Sequence, residues 1–326
     1  MWRRLGAVAI ACVAVVGCTN PPGSGPGAPP TTVAPLPGPP GEFSVLSYNV
    51  AGLPQGISSS NPEQNMQLIS PLLDAYDVVL TQEDFDWWQP IAGLLDFANY
   101  HVRLRAQATH PYRSAQHPGP LAVGLDPASR PLLVGDGLGW LSRYPFTAEQ
   151  RVPWTECFGG ALPDGGASDC LAMKGFGVVT MTLADGREVD VYDLHGEAGG
   201  TPEDQRLQSR DFTQLGAFIT EHSRGRAVIL GGDTNLHTDL VHPDGSNGAD
   251  IVIWSAFLDA TGLTDTCTEL SCPETGAIDK IAYRDGDGVD LTPLSHEFPT
   301  GRFTGPTGAD LSDHAPLAVR FGWDAP

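Results

Sequence analysis

The chain has 326 residues, with 39 acids against 18 bases and a formal charge of −21. That balance repels polyanions over most of a surface and excludes a basic protein that coats nucleic acid. Hydrophobic residues make up 41% and charged residues 17%, which excludes a disordered chain and leaves enough apolar material for one large domain or two.

The first segment reads as a leader. Arg3 and Arg4 form a basic start, and Leu5 to Gly17 is an apolar run too short to span a bilayer comfortably but suited to a signal peptide. The run ends Val15-Val16-Gly17-Cys18, which resembles the lipobox of bacterial lipoproteins. The resemblance implies cleavage after residue 17 and lipidation of Cys18, with plain secretion as the alternative. Removing residues 1–17 leaves 16 bases against 39 acids, a charge of −23.

Residues 18–42 read as a tether. Between Pro21 and Gly41, 14 of 21 residues are Pro or Gly, so nothing there can pack. Extended, it reaches roughly 70 Å. A body on such a leash can sample the surface it is anchored to.

Residues 43–326 read as one mixed β and α domain. Apolar runs at Phe43–Asn49, Asp77–Thr81, Tyr100–Arg105, Leu138–Ser142, Phe176–Leu183, Val189–Leu194, Ala227–Leu230 and Ala315–Phe321 predict strands. Several are nearly continuous, as strands covered on both faces require. Pro62–Tyr76 predicts a helix disturbed at Pro71. Thr201–His222 predicts a second helix, with Thr201 as N-cap, Pro202 at the first position and acids in the next two. The spaced acids of Asp285–Asp290 lack the glycine and glutamate of a calcium loop and read as a hairpin turn.

Beyond Cys12 in the leader and Cys18, four cysteines remain: Cys157, Cys170, Cys267 and Cys272. Three pairings are possible, and loop closure favours Cys157–Cys170 and Cys267–Cys272. No Cys-x-x-Cys pair supports zinc instead.

Five segments place a polar group at the edge of an apolar strand. Asn49 ends Ser47-Tyr48-Asn49, and its amide can orient a phosphate. Glu83 follows Val78–Gln82, a good position for a hard-cation ligand. His195 ends Val191–Leu194, where an imidazole can exchange a proton near neutral pH. In Gly231-Gly232-Asp233-Thr234-Asn235, two glycines let the backbone turn and Asp233 and Asn235 sit two apart. Ser312-Asp313-His314 puts a carboxylate beside an imidazole. Each alone has a plain structural explanation, as a turn former, a solvated strand end or a satisfied histidine.

In this order, and with Asp279 in Ile278-Asp279-Lys280-Ile281, the segments resemble the endonuclease/exonuclease/phosphatase superfamily over roughly Phe43 to Trp323. The resemblance implies an α/β fold, a four-layer αββα sandwich of two mixed β-sheets flanked by helices. It makes Glu83 the main metal ligand with Asn49 close by, and Asp233 and Asn235 the holders of nucleophile and phosphate. Asp313 would complete the metal cluster, His314 would be the general base oriented by Asp279, and His195 the acid-side histidine. Oxygen ligands imply magnesium, with manganese or calcium as alternatives.

A second resemblance is narrower. Leu138–Pro145, then Cys157, Cys170 and Lys174-Gly175-Phe176, together with Glu83-Asp84-Phe85-Asp86, look like the secreted bacterial neutral sphingomyelinases. Departures are Leu194-His195-Gly196 in place of Thr-His-Leu and the lack of an exposed aromatic pair between Ser295 and Leu311, where only Phe298 and Phe303 occur. Trp87 and Trp88 are the substitute candidates for membrane contact. The expected substrate is a phosphodiester, first a phospholipid at a membrane surface, and the expected protein a monomer exported or anchored on the outer face of a bacterial cell. The alternatives are an extracellular nuclease using Arg103, Arg105, Arg113 and Arg143, a phosphatase on inositol or sugar phosphates, and a catalytically silent binding module.

Overall fold

Alternation along the apolar runs decides the architecture. Val45, Val78, Leu80, Val189, Val191 and Ile229 pack into one buried cluster. Their neighbours split between two others: Leu46 and Val79 join the second, Tyr192, Val228 and Leu230 the third. Each strand is therefore covered on both faces, which is why its sequence reads as continuous rather than alternating. The computed structural model describes residues 41–324, apart from 54, 56–57, 86–99, 117–122, 127–128, 130–133, 161–165 and 239–247. The expected leader, Cys18 and the expected tether up to residue 40 lie outside the described residues, as do Trp87 and Trp88.

The first sheet is built from β1 (Glu42–Asn49), β2 (Val78–Gln82), β3 (Tyr112–Arg113), β4 (Gly139–Ser142), β11 (Asp290–Glu297) and β12 (Leu317–Asp324), in the order β11-β12-β1-β2-β4-β3. The second contains β5 (Phe146–Pro153), β6 (Gly175–Thr182), β7 (Glu188–His195), β8 (Ala227–Asp233), β9 (Thr264–Asp265) and β10 (Asp279–Arg284), in the order β5-β6-β7-β8-β10-β9. The pairs β1–β2 and β7–β8 are parallel, and the other ladders are antiparallel. Both sheets are thus mixed.

Helices complete the layers. Met66 and Ile69 of α1 (Pro62–Ile69) and Tyr100 and Leu104 of α2 (Tyr100–Arg105) cover the first sheet. Phe212, Leu215 and Ile219 of α3 (Pro202–His222), with Ile253, Trp254 and Phe257 of α4 (Asp250–Thr261), cover the second. The result is the four-layer αββα sandwich. A parallel pair needs a crossover, and α1 and α3 supply it between β1 and β2 and between β7 and β8. Both crossovers deliver strands that end on the same rim, and that rim carries the chemistry.

Several local expectations change. Tyr100–Arg105 is helical rather than extended: Tyr100 and Leu104 are buried one turn apart, and Arg105 reaches back to the His101 carbonyl. The helix expected over Pro62–Tyr76 is α-helical only to Ile69. It continues as a 3₁₀ turn over Ser70–Ala75, because Pro71 has no N–H to continue the α ladder. The strand before Asp233 runs on through both glycines, so Asp233 is its last residue. The Asp285–Asp290 turn forms, with Gly286 and Val289 exchanging hydrogen bonds, but the strands it joins enter different sheets.

Thr201 caps α3 in a full capping box with Asp204. Both local disulfide pairings, Cys157–Cys170 and Cys267–Cys272, are formed. Elements missing from the sequence reading include β5, where only Phe146 and Val152 are large and apolar, and α4, whose first turn exposes Ile251 and Val252; β3, β9 and β11 are missing as well. Neither β5 nor α4 has the clean stripe that periodicity detects.

Candidate active site

Strand register assembles half of the site. His195 lies beside Asp233 in the β7–β8 ladder, and Asp233 lies beside Asp279 in the β8–β10 ladder. Three side chains that carry chemistry stand abreast at the end of one sheet. The other sheet brings Asn49, the last residue of β1, and Glu83, the residue after β2.

The Asn49 amide joins the halves. Its Nδ2 donates to Glu83 Oε1 at 3.1 Å and to Asp233 Oδ2 at 3.0 Å, and lies 3.4 Å from His314 Nε2. His314 comes from the loop before β12. Its Nδ1 donates to Asp279 Oδ2 at 2.9 Å, while Nε2 lies 3.7 Å from Asp233 Oδ2. Ser312 pins this loop: its hydroxyl donates to the Asn49 carbonyl at 2.7 Å and accepts the His314 N–H at 3.1 Å. His195 Nε2 lies 3.4 Å from Asp233 Oδ2. Asp233 is the point on which both imidazoles and the amide converge.

Backbone geometry at two rim positions is unusual. Glu83 and Asn235 have φ of 54° and 53°, in the left-handed region. Asparagine tolerates it, but glutamate pays a steric penalty there. Glu83 is held by its flanks, since Gln82 and Asp84 are both buried. Asn235 Nδ2 donates to the Gly196 carbonyl at 3.2 Å, and its N–H donates to Asp233 Oδ1 at 3.0 Å.

Electrostatics set the two histidines apart. Burial alone would depress His314, but Asp233, then Asp279 and Glu83, outweigh it and lift its pKa to about 10. His195 goes the other way: burial, with the Lys174 cation behind it, pushes it well below the usual imidazole range against Asp233. Burial raises Glu83 despite the Asn49 donor. Asp233 is held below its ordinary value because His314, His195 and Lys174 outweigh its burial.

Lys174 is a rim residue that sequence reasoning placed only in a pattern. Its ammonium is buried, donates to the Gly196 carbonyl at 3.0 Å and pairs with Asp169. Asp169 sits beside Cys170, so the disulfide loop is tied to the rim through this pair. The signal in the sequence was the scarcity of lysine: only Lys174 and Lys280 occur.

Asp313 stands apart. It is exposed and accepts a hydrogen bond from the Ser59 hydroxyl. At the rim, the ligand atoms that lie within 4.8 Å of one another belong to Asp233, Asp279 and His314, without Asp313 or Glu83. The arginines proposed for a nucleic-acid groove are committed elsewhere. Arg105 is buried against Asp84, and Arg113 donates to the His110 and Arg105 carbonyls at 2.8 and 3.1 Å. Arg143 donates to the Asp74 carbonyl at 2.8 Å, and Arg103 to that of Glu63 at 2.9 Å. Each holds backbone together and none is assembled beside the rim residues in these contacts.

The chain matches the endonuclease/exonuclease/phosphatase family over residues 46–314, a span that runs from β1 to His314. The chain belongs to that family. A curated member, a sphingomyelinase of Mycobacterium tuberculosis strain ATCC 25618 / H37Rv, is 32% identical over 301 residues, covering 87% of this chain and 54% of the relative. This chain therefore spans about half the length of that relative. Among solved structures, sphingomyelinase C from Streptomyces griseocarneus superposes with a TM-score of 0.55 at 19% identity, covering 86% of this chain and 99% of the other. A beta toxin variant from Staphylococcus aureus with bound magnesium ions gives 0.53 at 15% identity, covering 85% and 99%. These likenesses bear on the fold alone, and the two-sheet sandwich described above is shared with both structures.

Proposed function

We propose that this chain is a metal-dependent phosphodiesterase of the sphingomyelinase (phospholipase C) type. The observation that carries the reading is the convergence on one rim of Asn49 and Glu83 from one sheet with His195, Asp233, Asp279 and His314 around the other. Family membership and the mycobacterial sphingomyelinase supply the reaction class.

The donor set fits a hard divalent cation. The Glu83 and Asp233 carboxylates offer oxygen atoms on either side of the Asn49 amide, whose own oxygen accepts the Ala51 N–H at 3.0 Å. Burial disfavours the free Glu83 anion, which is the condition a counter-cation relieves. Magnesium is the first choice, with manganese or calcium as alternatives. A cation held there supplies neutralisation of the phosphate charge and polarisation of the P–O bond.

The chain's own residues divide the remaining work. His314 takes the proton of the attacking water at Nε2, and Asp279 fixes the ring by accepting from Nδ1. Neutralising the carboxylates that raise His314 brings its proton affinity down toward working pH. Asp233 and Asn235 position the nucleophile and the phosphate. His195 is kept neutral by its surroundings and serves the leaving oxygen as a hydrogen-bond donor. Export and lipid anchoring at Cys18 belong to the same reading, since the leader and the Pro/Gly tether suit an enzyme held near a membrane substrate.

Two substrates separate this proposal from its nearest rival. Purified chain with magnesium is incubated in parallel with sphingomyelin liposomes and supercoiled plasmid. Phosphocholine release with intact plasmid is the expected result. Plasmid nicking without phosphocholine release overturns the lipid reading in favour of a nuclease, which the commitment of the four arginines and the net charge disfavour.

A further inference from the structure

Between the sheets, directly beneath the rim, lies a polar contact that the chemistry above does not use. Asp193 of β7 and Gln82 of β2 are both fully buried. Gln82 Nε2 donates to Asp193 Oδ1 at 2.5 Å, and the Gly139 N–H donates to Asp193 Oδ2 at 3.3 Å. One carboxyl thus brackets two donors from the opposite sheet. Among the described residues no cation is within ion-pair distance of it.

The neighbourhood is shaped for this approach. Asp193 is flanked in register by Gly177 on β6 and Gly231 on β8. A Cβ on Gly231 would meet Leu80 at 2.7 Å, and one on Gly177 would meet Trp140 at 2.6 Å. Side chains of the first sheet fill the space that these glycines leave. A buried carboxyl without a cation is costly, and an apolar residue would avoid that cost. Its presence there calls for a function.

Position supplies one. Gln82 immediately precedes Glu83, whose left-handed backbone needs support from its flanks. Asp193 lies two residues before His195, on the same face of β7. We propose that Asp193 and Gln82 form a positioning clasp that locks the two sheets beneath the rim and sets Glu83 against His195 across the reaction site. Neither residue touches substrate; each acts through the neighbour it holds. The inference rests on the functional reading above, because that reading makes Glu83 and His195 partners in one reaction.

The test uses the full chain and the variants Asp193→Leu, Gln82→Met and Asp193→Asn. Two quantities are read: kcat and KM on a soluble phosphodiester, and the magnesium concentration that gives half of the magnesium-induced rise in melting temperature. Loss of the clasp lowers kcat and weakens magnesium binding by about 10–100-fold, with KM little changed. Asp193→Asn keeps size and a polar partner for Gln82, and recovers most of both losses. A chain that melts earlier but keeps its kcat and magnesium response reduces the clasp to a stabilising contact and overturns the proposal. So does Asp193→Asn as impaired as Asp193→Leu. Should Asp193→Leu fail to fold, Gln82→Met and Asp193→Asn decide the matter on the same readouts. A wild-type chain that binds magnesium but cleaves no phosphodiester ends the functional reading alone, and the magnesium measurement still judges the clasp. A wild-type chain showing neither leaves the clasp nothing to position and overturns both.

Discussion

Replacing His314 with alanine lowers phosphodiester turnover by about 10²–10⁴-fold, the range typical of a positioned general base. The chain still folds, because the side chain lies at the rim and belongs to none of the three apolar clusters. Magnesium uptake survives nearly intact, since Asn49 and Glu83 remain. Collapse of magnesium affinity along with turnover would mean that His314 is a ligand and that another group is the base. The same variant has a signature in the metal-free protein. Asp233, Asp279 and Glu83 hold the His314 proton up to about 10 in the folded chain, against roughly 6.5 when unfolded. Its stabilisation is complete below about 6.5 and is lost as pH rises through 10. Metal-free wild type should lose melting temperature across that window. His314→Ala, with three carboxylates left facing one another, melts lower at neutral pH and has a flatter profile.

Glu83→Gln abolishes the response to magnesium and most of the turnover, yet makes the metal-free protein more stable near neutral pH. The two effects have one origin. Burial raises the Glu83 carboxyl above its ordinary value despite the Asn49 donor. A carboxyl raised in this way favours folding below the usual carboxylate range and loses that advantage as pH rises through its folded value. At neutral pH the buried carboxyl therefore costs stability that a neutral amide does not. Glutamine also retains an oxygen for the Asn49 amide. In wild type, magnesium at 100 times its dissociation constant stabilises the fold by about 2.7 kcal/mol, a rise in melting temperature of about 5 °C or more. Thermal melts with and without magnesium check this directly. A variant that gains as much from magnesium as wild type does removes Glu83 from the metal site.

Much of this molecule is legible in its sequence, and what is not has physical reasons. The strands around Val45, Val79, Val191 and Ile229 announce themselves because both faces are buried. The α3 start is legible because Thr201, Pro202 and Asp204 satisfy its free N–H groups locally. Tyr100–Arg105 misleads because six residues are too few to separate a period of two from one of 3.6. The α4 helix is obscured by Ile251 and Val252, exposed apolar residues in its first turn.

At the site, Asn49, Glu83, His195 and Asp233 can be found because each ends or follows a strand, and His314 because it shortly precedes one. Their pairings cannot, since register across β7, β8 and β10 is a property of the sheet. Asp193 is visible in the sequence as an acid interrupting an apolar strand. Its partner Gln82 is 111 residues away, and only the packing of two sheets brings them together. Asp313 shows the converse: adjacency to His314 in sequence does not put its carboxylate into the Asp233–Asp279–His314 group.

In the proposed reaction these residues direct water onto phosphorus with the help of a divalent cation. Turnover of sphingomyelin liposomes by the purified chain in ¹⁸O-labelled water, with magnesium and then with chelator, tests it most directly. The expected phosphocholine carries one solvent oxygen, and its release stops with chelator and recovers on adding magnesium back. Release indifferent to chelator, or solvent oxygen found in the lipid alcohol instead of the phosphate, would contradict that reaction.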